Sequence, residues 1–166
     1  MRLLVLCVFL ILFAPSASAW DATIVGVSDG DTVIVQREAS KEHVKIRLYG
    51  VDCPEGYGRY WKPQPYSKVA RSFVQKLLPV GSKVAVVDMG MDRYSRTVGG
   101  IITLPDGKVI QEELLKAGLA WVYPKYCENC GQWQALQNEA KSSRIGLWRD
   151  ATPIAPWDWR HNAQDD

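Results

Sequence analysis

Three short segments hold side chains whose types and spacing could do chemistry. In Asp29-Gly30-Asp31-Thr32-Val33 a hairpin turn delivers a carboxylate to the start of a strand. Asp-Gly is common in turns for conformational reasons alone, and Thr32 and Val33 break the alternation of oxygen ligands that an EF-hand loop requires. Taken singly, this segment reads as a turn. Arg47-Leu48-Tyr49-Gly50-Val51-Asp52-Cys53-Pro54-Glu55 places one cation and two acids within nine residues. Asp52 and Glu55 flank a proline turn that is expected to converge them, with Asp31, on a common point. Three acids there repel one another unless a cation sits between them, and oxygen-only ligands select a hard metal such as calcium. The third segment, Asp92-Arg93-Tyr94-Ser95-Arg96, is a basic turn of a kind ordinary on any protein surface.

Elements must position these groups. Residues 23–27 and 32–36 are rich in Val, Ile and Thr and are separated by Asp29-Gly30, which predicts an antiparallel hairpin. Residues 43–49 put Val44, Ile46 and Leu48 on one face and Lys45 and Arg47 on the other, as a half-buried strand demands. Arg47 therefore points away from the apolar face. Between 53 and 65, Gly, Pro and aromatic residues predict a long functional loop. Val69, Ala70, Phe73, Val74, Leu77 and Leu78 predict a helix over 67–78 that stops at Gly81. Strands are expected at 83–87 and 97–103, and helices at about 110–117 and 131–143. Residues 151–166, with Pro153, Pro156 and Trp157, read as an extended tail. Five strands with a helix after the third and two after the fifth fit an α+β, mainly β fold, a five-stranded OB-type Greek-key barrel capped by three helices.

The three segments together resemble the staphylococcal nuclease family. Its signature is an Asp-Gly-Asp-Thr turn, an Arg before Val-Asp-x-Pro-Glu, and a later Asp-x-Tyr-x-Arg turn, and all three occur here in that order. The likeness runs from about Val27 through Gly118-Leu119-Ala120 to Ile145-Gly146-Leu147-Trp148. It implies that Asp31 and Asp52 hold Ca2+ with the backbone carbonyl of Cys53. It implies that Glu55 is the general base and that Arg47 and Arg96 grip the scissile phosphate, with cleavage leaving a 3′-phosphate. The chemistry is coherent on its own terms. In-line attack on a phosphodiester needs a positioned water, an acceptor for its proton and positive charge around phosphorus, and planar guanidinium forks suit the last task.

Tyr94, Tyr123 and Tyr126 are candidates to stack on bases or sugars, which favours single-stranded or frayed DNA and RNA. Aromatics at these positions serve equally well as packing, and the segment 121–126 departs from the family's spacing by at least one residue. Lys62, Lys68 and Arg71 have solvated surface roles as their bland alternative.

The chain begins with Arg2, an apolar run from Leu3 to Ala14, and Ala17-Ser18-Ala19, which together read as a cleavable leader over 1–19. The run falls short of the roughly 18 apolar residues a membrane span needs. The expected product is a secreted or periplasmic monomer with no stable membrane association, its single domain covering 20–150. Without Arg2 the chain carries 19 Lys and Arg against 18 Asp and Glu, so attraction to nucleic acid has to come from local clusters. Cys53, Cys127 and Cys130 allow three disulfide pairings in an oxidising compartment, and the sequence does not choose among them. Two rival readings are a binding-only OB domain and a thiol-redox protein. A pure binder has no reason to keep three acids beside a bound phosphate, and the parallel sheet that usually carries a redox Cys-x-x-Cys is not expected here.

Overall fold

A computed structural model of the chain describes residues 18–56, 58, 62–127 and 130–162. The leader expected over 1–19 lies outside them but for Ser18 and Ala19, which open the first strand. In chain order the elements are β1 (Ser18–Asp29), β2 (Thr32–Arg37), β3 (His43–Leu48), β4 (Val51–Asp52), α1 (Ser67–Leu77), β5 (Lys83–Met91), β6 (Thr97–Thr103), α2 (Ile110–Lys116), β7 (Trp121–Val122), α3 (Gly131–Ser142) and α4 (Pro156–Asn162).

Five strands close a barrel in the order β1-β2-β3-β6-β5, so the main sheet has no open edge to protect. β1 serves two partners, pairing through Ala22–Asp29 with β2 and through Ser18–Thr23 with β5. Register shifts at Ile24/Gly26 and Val27/Asp29 bend it between the two, as bulges do at barrel corners. β3 and β6 run parallel, with Arg47 beside Val98. Alternation on β2, β3 and β5 sends Val33, Val35, Ile46, Leu48, Val84 and Val86 into the interior, each at most 1% exposed. Ala70 and Val74 of α1 and Ile110, Leu114 and Leu115 of α2 extend the same core. Val69, expected on the apolar face of α1, is instead exposed.

Two further features differ from the sequence reading. The barrel is accompanied by a two-stranded sheet of β4 and β7, pairing Val51 with Val122 and Asp52 with Trp121; two-residue strands are too short to show a period. The tail is not extended throughout, since α4 makes a fourth helix. Pro156 starts it with a preset φ, Asp158 lies in its first turn and Arg160 and His161 in its last, all favourable to the helix dipole. Seven residues give too few turns for a periodic apolar stripe.

Cys127 and Cys130 form the disulfide and Cys53 is a buried free thiol, which resolves the pairing. The bridge packs on Gly50, whose φ of 70° belongs to the left-handed region and where a Cβ would lie 2.7 Å from both Cys127 Sγ and Trp133. No side chain fits there without displacing one of them. The Gly50 carbonyl accepts the Tyr123 amide at 2.8 Å, so this contact joins the end of β3 to the segment after β7. Among the described residues, no helix is long and apolar enough to cross a membrane.

Candidate active site

Asp31 lies in the β1–β2 turn and is 7% exposed. The turn sits flush on Cys53 because Gly30 has no side chain, and a Cβ there would fall 2.8 Å from that of Cys53. Asp31 Oδ2 accepts the Cys53 amide at 2.8 Å and stands 3.1 Å from Arg47 Nη1. The Asp31 backbone carbonyl accepts the Leu48 amide at 2.8 Å, so the acid is fixed from both its main chain and its side chain.

Arg47 reaches from β3 across to β4. Its Nη1 donates to the carbonyls of Val51 at 2.9 Å and Leu48 at 3.2 Å, and Nη2 to Asp52 Oδ1 at 2.6 Å. Burial opposes its charge, but Asp31 and Asp52 outweigh burial and hold the guanidinium above its ordinary range. Asp52 on β4 is wholly buried. Burial pushes its carboxyl above the ordinary value against the pull of Arg47 and Arg160.

Glu55 follows one turn later, its amide donating to Gln64 Oε1 at 3.0 Å. Burial pushes its carboxyl up to about 7, with Asp31 adding to the effect and Arg160 opposing it. That value suits proton transfer near neutral pH. Asp29, not singled out beforehand, lies behind this loop against Gly56 and is also raised by burial and by Asp31. Its place beside Asp31 in one turn was the available signal.

Asp31, Arg47, Asp52, Cys53 and Glu55 are thus brought together as expected, with one correction to their geometry. The acids do not meet at a point, and among the described residues no three His, Cys, Asp or Glu side chains group at metal-ligand spacing. Guanidinium groups stand between them instead. Asp52 Oδ2 is 2.8 Å from Nη2 of Arg160 on α4, and the same guanidinium bonds Glu55 Oε1 through Nη1. Arg160 was missed because it stands in no motif and the tail was read as extended. The cation that mutual repulsion requires is here supplied by two arginines.

The donor chemistry still fits a hard divalent cation. Asp31 and Asp52 are buried oxygen donors, and without Arg160 the three carboxylates exceed Arg47 by two negative charges, the complement of one such ion. The Cys53 thiol, pushed well up by burial, stays protonated and is no ligand for calcium.

Arg96 is not drawn into this group. Its described partner is Asp92, which takes Arg96 Nε and Nη2 at 2.7 Å each and also accepts the amides of Tyr94 and Arg96 at 2.9 Å. Against burial, these bonds hold Asp92 below its ordinary value. The Asp-x-Tyr-x-Arg segment is therefore a self-closed turn at the tip between β5 and β6, with Ser95 at φ 59°. Tyr94 is exposed there, flanked by the guanidinium groups of Arg93 at 4.8 Å and Arg96 at 5.6 Å from its ring centre. Tyr123 is covered: Trp157 of α4 stacks on it with ring centres 5.1 Å apart and planes 6° from parallel. Tyr126 stands edge-on to Tyr123 at 4.9 Å and is exposed. Arg71 donates to the Val27 carbonyl at 3.2 Å, a structural bond between α1 and β1.

Residues 45–150 match the sequence model of the family described as staphylococcal nuclease homologue. An uncharacterized endonuclease of Escherichia coli O157:H7 is 38% identical over 138 residues, spanning 83% of this chain and 83% of its own. A micrococcal nuclease of Shigella flexneri is 28% identical over 173 residues, covering 99% of this chain and 94% of the relative. A staphylococcal-like nuclease of Arabidopsis thaliana is 38% identical over 125 residues, 75% of this chain but 36% of that longer protein.

Proposed function

The chain belongs to the staphylococcal nuclease homologue family and is a nuclease, a phosphodiester-cleaving enzyme; from that premise we propose that it is an exported, calcium-dependent endonuclease acting on DNA and RNA. The observation that carries this reading is the fixed grouping of Asp31 and Asp52 around Arg47, at 3.1 and 2.6 Å, with Glu55 joined to Asp52 through the Arg160 guanidinium.

Asp31, Asp52 and the Cys53 carbonyl hold Ca2+, which when bound supplies positive charge to the phosphate oxygens. Glu55, whose carboxyl is pushed up to about 7, takes the proton of the attacking water. Arg47, pinned by two carbonyls, presents a preorganised charge to the phosphate and stabilises the five-coordinate transition state. Arg96, held ready by Asp92 at the tip of the β5–β6 hairpin, completes the grip, and the bond broken is the one that leaves a 3′-phosphate. Tyr94, between two arginines, offers a stacking platform that tolerates any base and favours single-stranded or frayed ends. Tyr126 and, once Trp157 is moved aside, Tyr123 extend it. The enzyme acts as a monomer outside the cytoplasm after its leader is removed.

The test is cleavage of single-stranded DNA by the purified protein with calcium, with chelator, and with Glu55→Ala. Calcium-dependent cutting that the substitution reduces by about 10²-fold or more, the scale of a lost general base, supports the proposal. A folded protein that binds DNA and never cuts it replaces the calcium enzyme with a binding domain.

A further inference from the structure

Both carboxylate oxygens of Asp52 are taken. Oδ1 faces Arg47 Nη2 at 2.6 Å and Oδ2 faces Arg160 Nη2 at 2.8 Å, and Arg160 Nη1 lies 3.3 Å from Oδ1 and also bonds Glu55. A divalent ion held through Asp52 must compete with these guanidinium groups for the same carboxylate charge. Arg47 is the poor candidate to yield, since two backbone carbonyls and Asp31 also hold it and its side chain is 14% exposed. Arg160 sits on a terminal helix, its side chain is 27% exposed, and its described hydrogen bonds all go to Asp52 and Glu55.

The helix is placed over the site by contacts of its own. Gln64 bridges the two, accepting the Glu55 amide at 3.0 Å and donating to the Ile154 carbonyl at 2.7 Å. Trp159 Nε1 donates to the Lys62 carbonyl at 3.0 Å, Ala155 and Pro156 are buried, and Trp157 lies flat on Tyr123 and edge-on to Trp121. These anchors keep Arg160 at high local concentration beside the acids, as a linked ligand is kept near its site.

We propose that Arg160 is a tethered cation that competes with divalent metal for Asp52 and Glu55, so that α4 sets the metal affinity of the site. This rests on the metal-binding reading above. When all three carboxylates are ionised they leave two negative charges against Arg47; Arg160 satisfies one and a divalent ion satisfies both, so metal wins when abundant and the guanidinium holds the acids when it is scarce.

Calorimetric titration of Ca2+ into the whole protein tests this, comparing wild type with Arg160→Ala and Arg160→Lys. Removing the competitor is expected to tighten Ca2+ binding about tenfold, within the range of ordinary coupling between two ligands, while lysine, which keeps the charge, stays within about threefold of wild type. In the wild-type protein the Arg160 Nε–H resonance, assigned by its loss in the alanine variant, moves to the position of an unpaired guanidinium at Ca2+ saturation. Unchanged or weaker binding in Arg160→Ala, lysine binding as tightly as alanine, or a resonance that does not move each overturn the proposal. If wild type still cleaves only with added calcium in those cases, the proposed function stands and the competition alone fails; a wild-type protein that binds no divalent ion sinks both.

Discussion

Glu55 and Arg47 show how differently burial acts on an acid and on a base in one site. The Glu55 carboxyl is held at about 7 against an ordinary value of about 4.3, so the folded state binds its proton more tightly than the unfolded state does. The stability this supplies is fully present below about 4.3 and is lost as pH rises through about 7. Glu55→Gln, which keeps the shape without the charge, is expected in chelator to match wild type near pH 4 and to be more stable by about 3 to 4 kcal/mol at pH 8, read by urea unfolding. A variant less stable than wild type at pH 8 contradicts burial as the cause of the shift. Cleavage, by contrast, should rise with pH as Glu55 loses its proton, and Glu55→Gln should lose that limb. Arg47 carries the opposite sign. Arg47→Ala leaves Asp31 and Asp52 short of a partner in a buried place and is expected to cost about 3 kcal/mol in the same assay; an unchanged midpoint would show that the acids shed their charge instead.

The elements that deliver these residues differ in how well their sequences announce them. The hairpin between β5 and β6 depends on Asp92, whose carboxylate gathers two amides and the Arg96 guanidinium. Asp92→Ala is expected to lower kcat/KM by about tenfold or more through a misplaced Arg96, with a stability loss of about 1 kcal/mol, the worth of a few exposed turn bonds. Equal losses in Asp92→Ala and Asp92→Asn would assign the effect to charge; partial rescue by asparagine, which can still accept the amides, assigns it to the turn. The barrel strands were legible because each runs at least five residues in Val, Ile and Thr-rich chain, and on β3, where the pattern alternates, Arg47 could be placed outside the barrel interior from its neighbours Ile46 and Leu48 alone. The β4–β7 pair could not, since two residues hold no period and their partners lie about 70 positions apart. Likewise Asp52 and Glu55 stood in a readable motif, whereas Arg160 reaches them from 108 residues beyond Asp52. Its role is written in tertiary contact. The expected meeting of three bare acids failed for the same reason, because the spacing fixed the carboxylates but not the guanidinium between them.

At the scale of the whole molecule, charge is nearly balanced, with 20 Lys and Arg against 18 Asp and Glu. No broad positive field draws in a polyanion, and several cations are already engaged: Arg71 with Val27, Lys83 and Lys41 with Glu38, and Lys116 with Glu113. The groups well placed for phosphates are few, Arg47 in the site and Arg93 and Arg96 at the hairpin tip. Binding a single strand releases counterions in proportion to the phosphates neutralised, with a slope of about −0.7 per contact in log affinity against log salt. Three contacts therefore predict a slope near −2, measured by fluorescence anisotropy with a Glu55→Gln variant that binds without cutting. Arg93→Ala should make that slope shallower by about 0.7 while weakening all sequences alike, since a phosphate contact carries no base information. A slope near −5 would instead demand a long basic track that draws in exposed cations such as Lys45, Lys68 and Lys76 beyond these three.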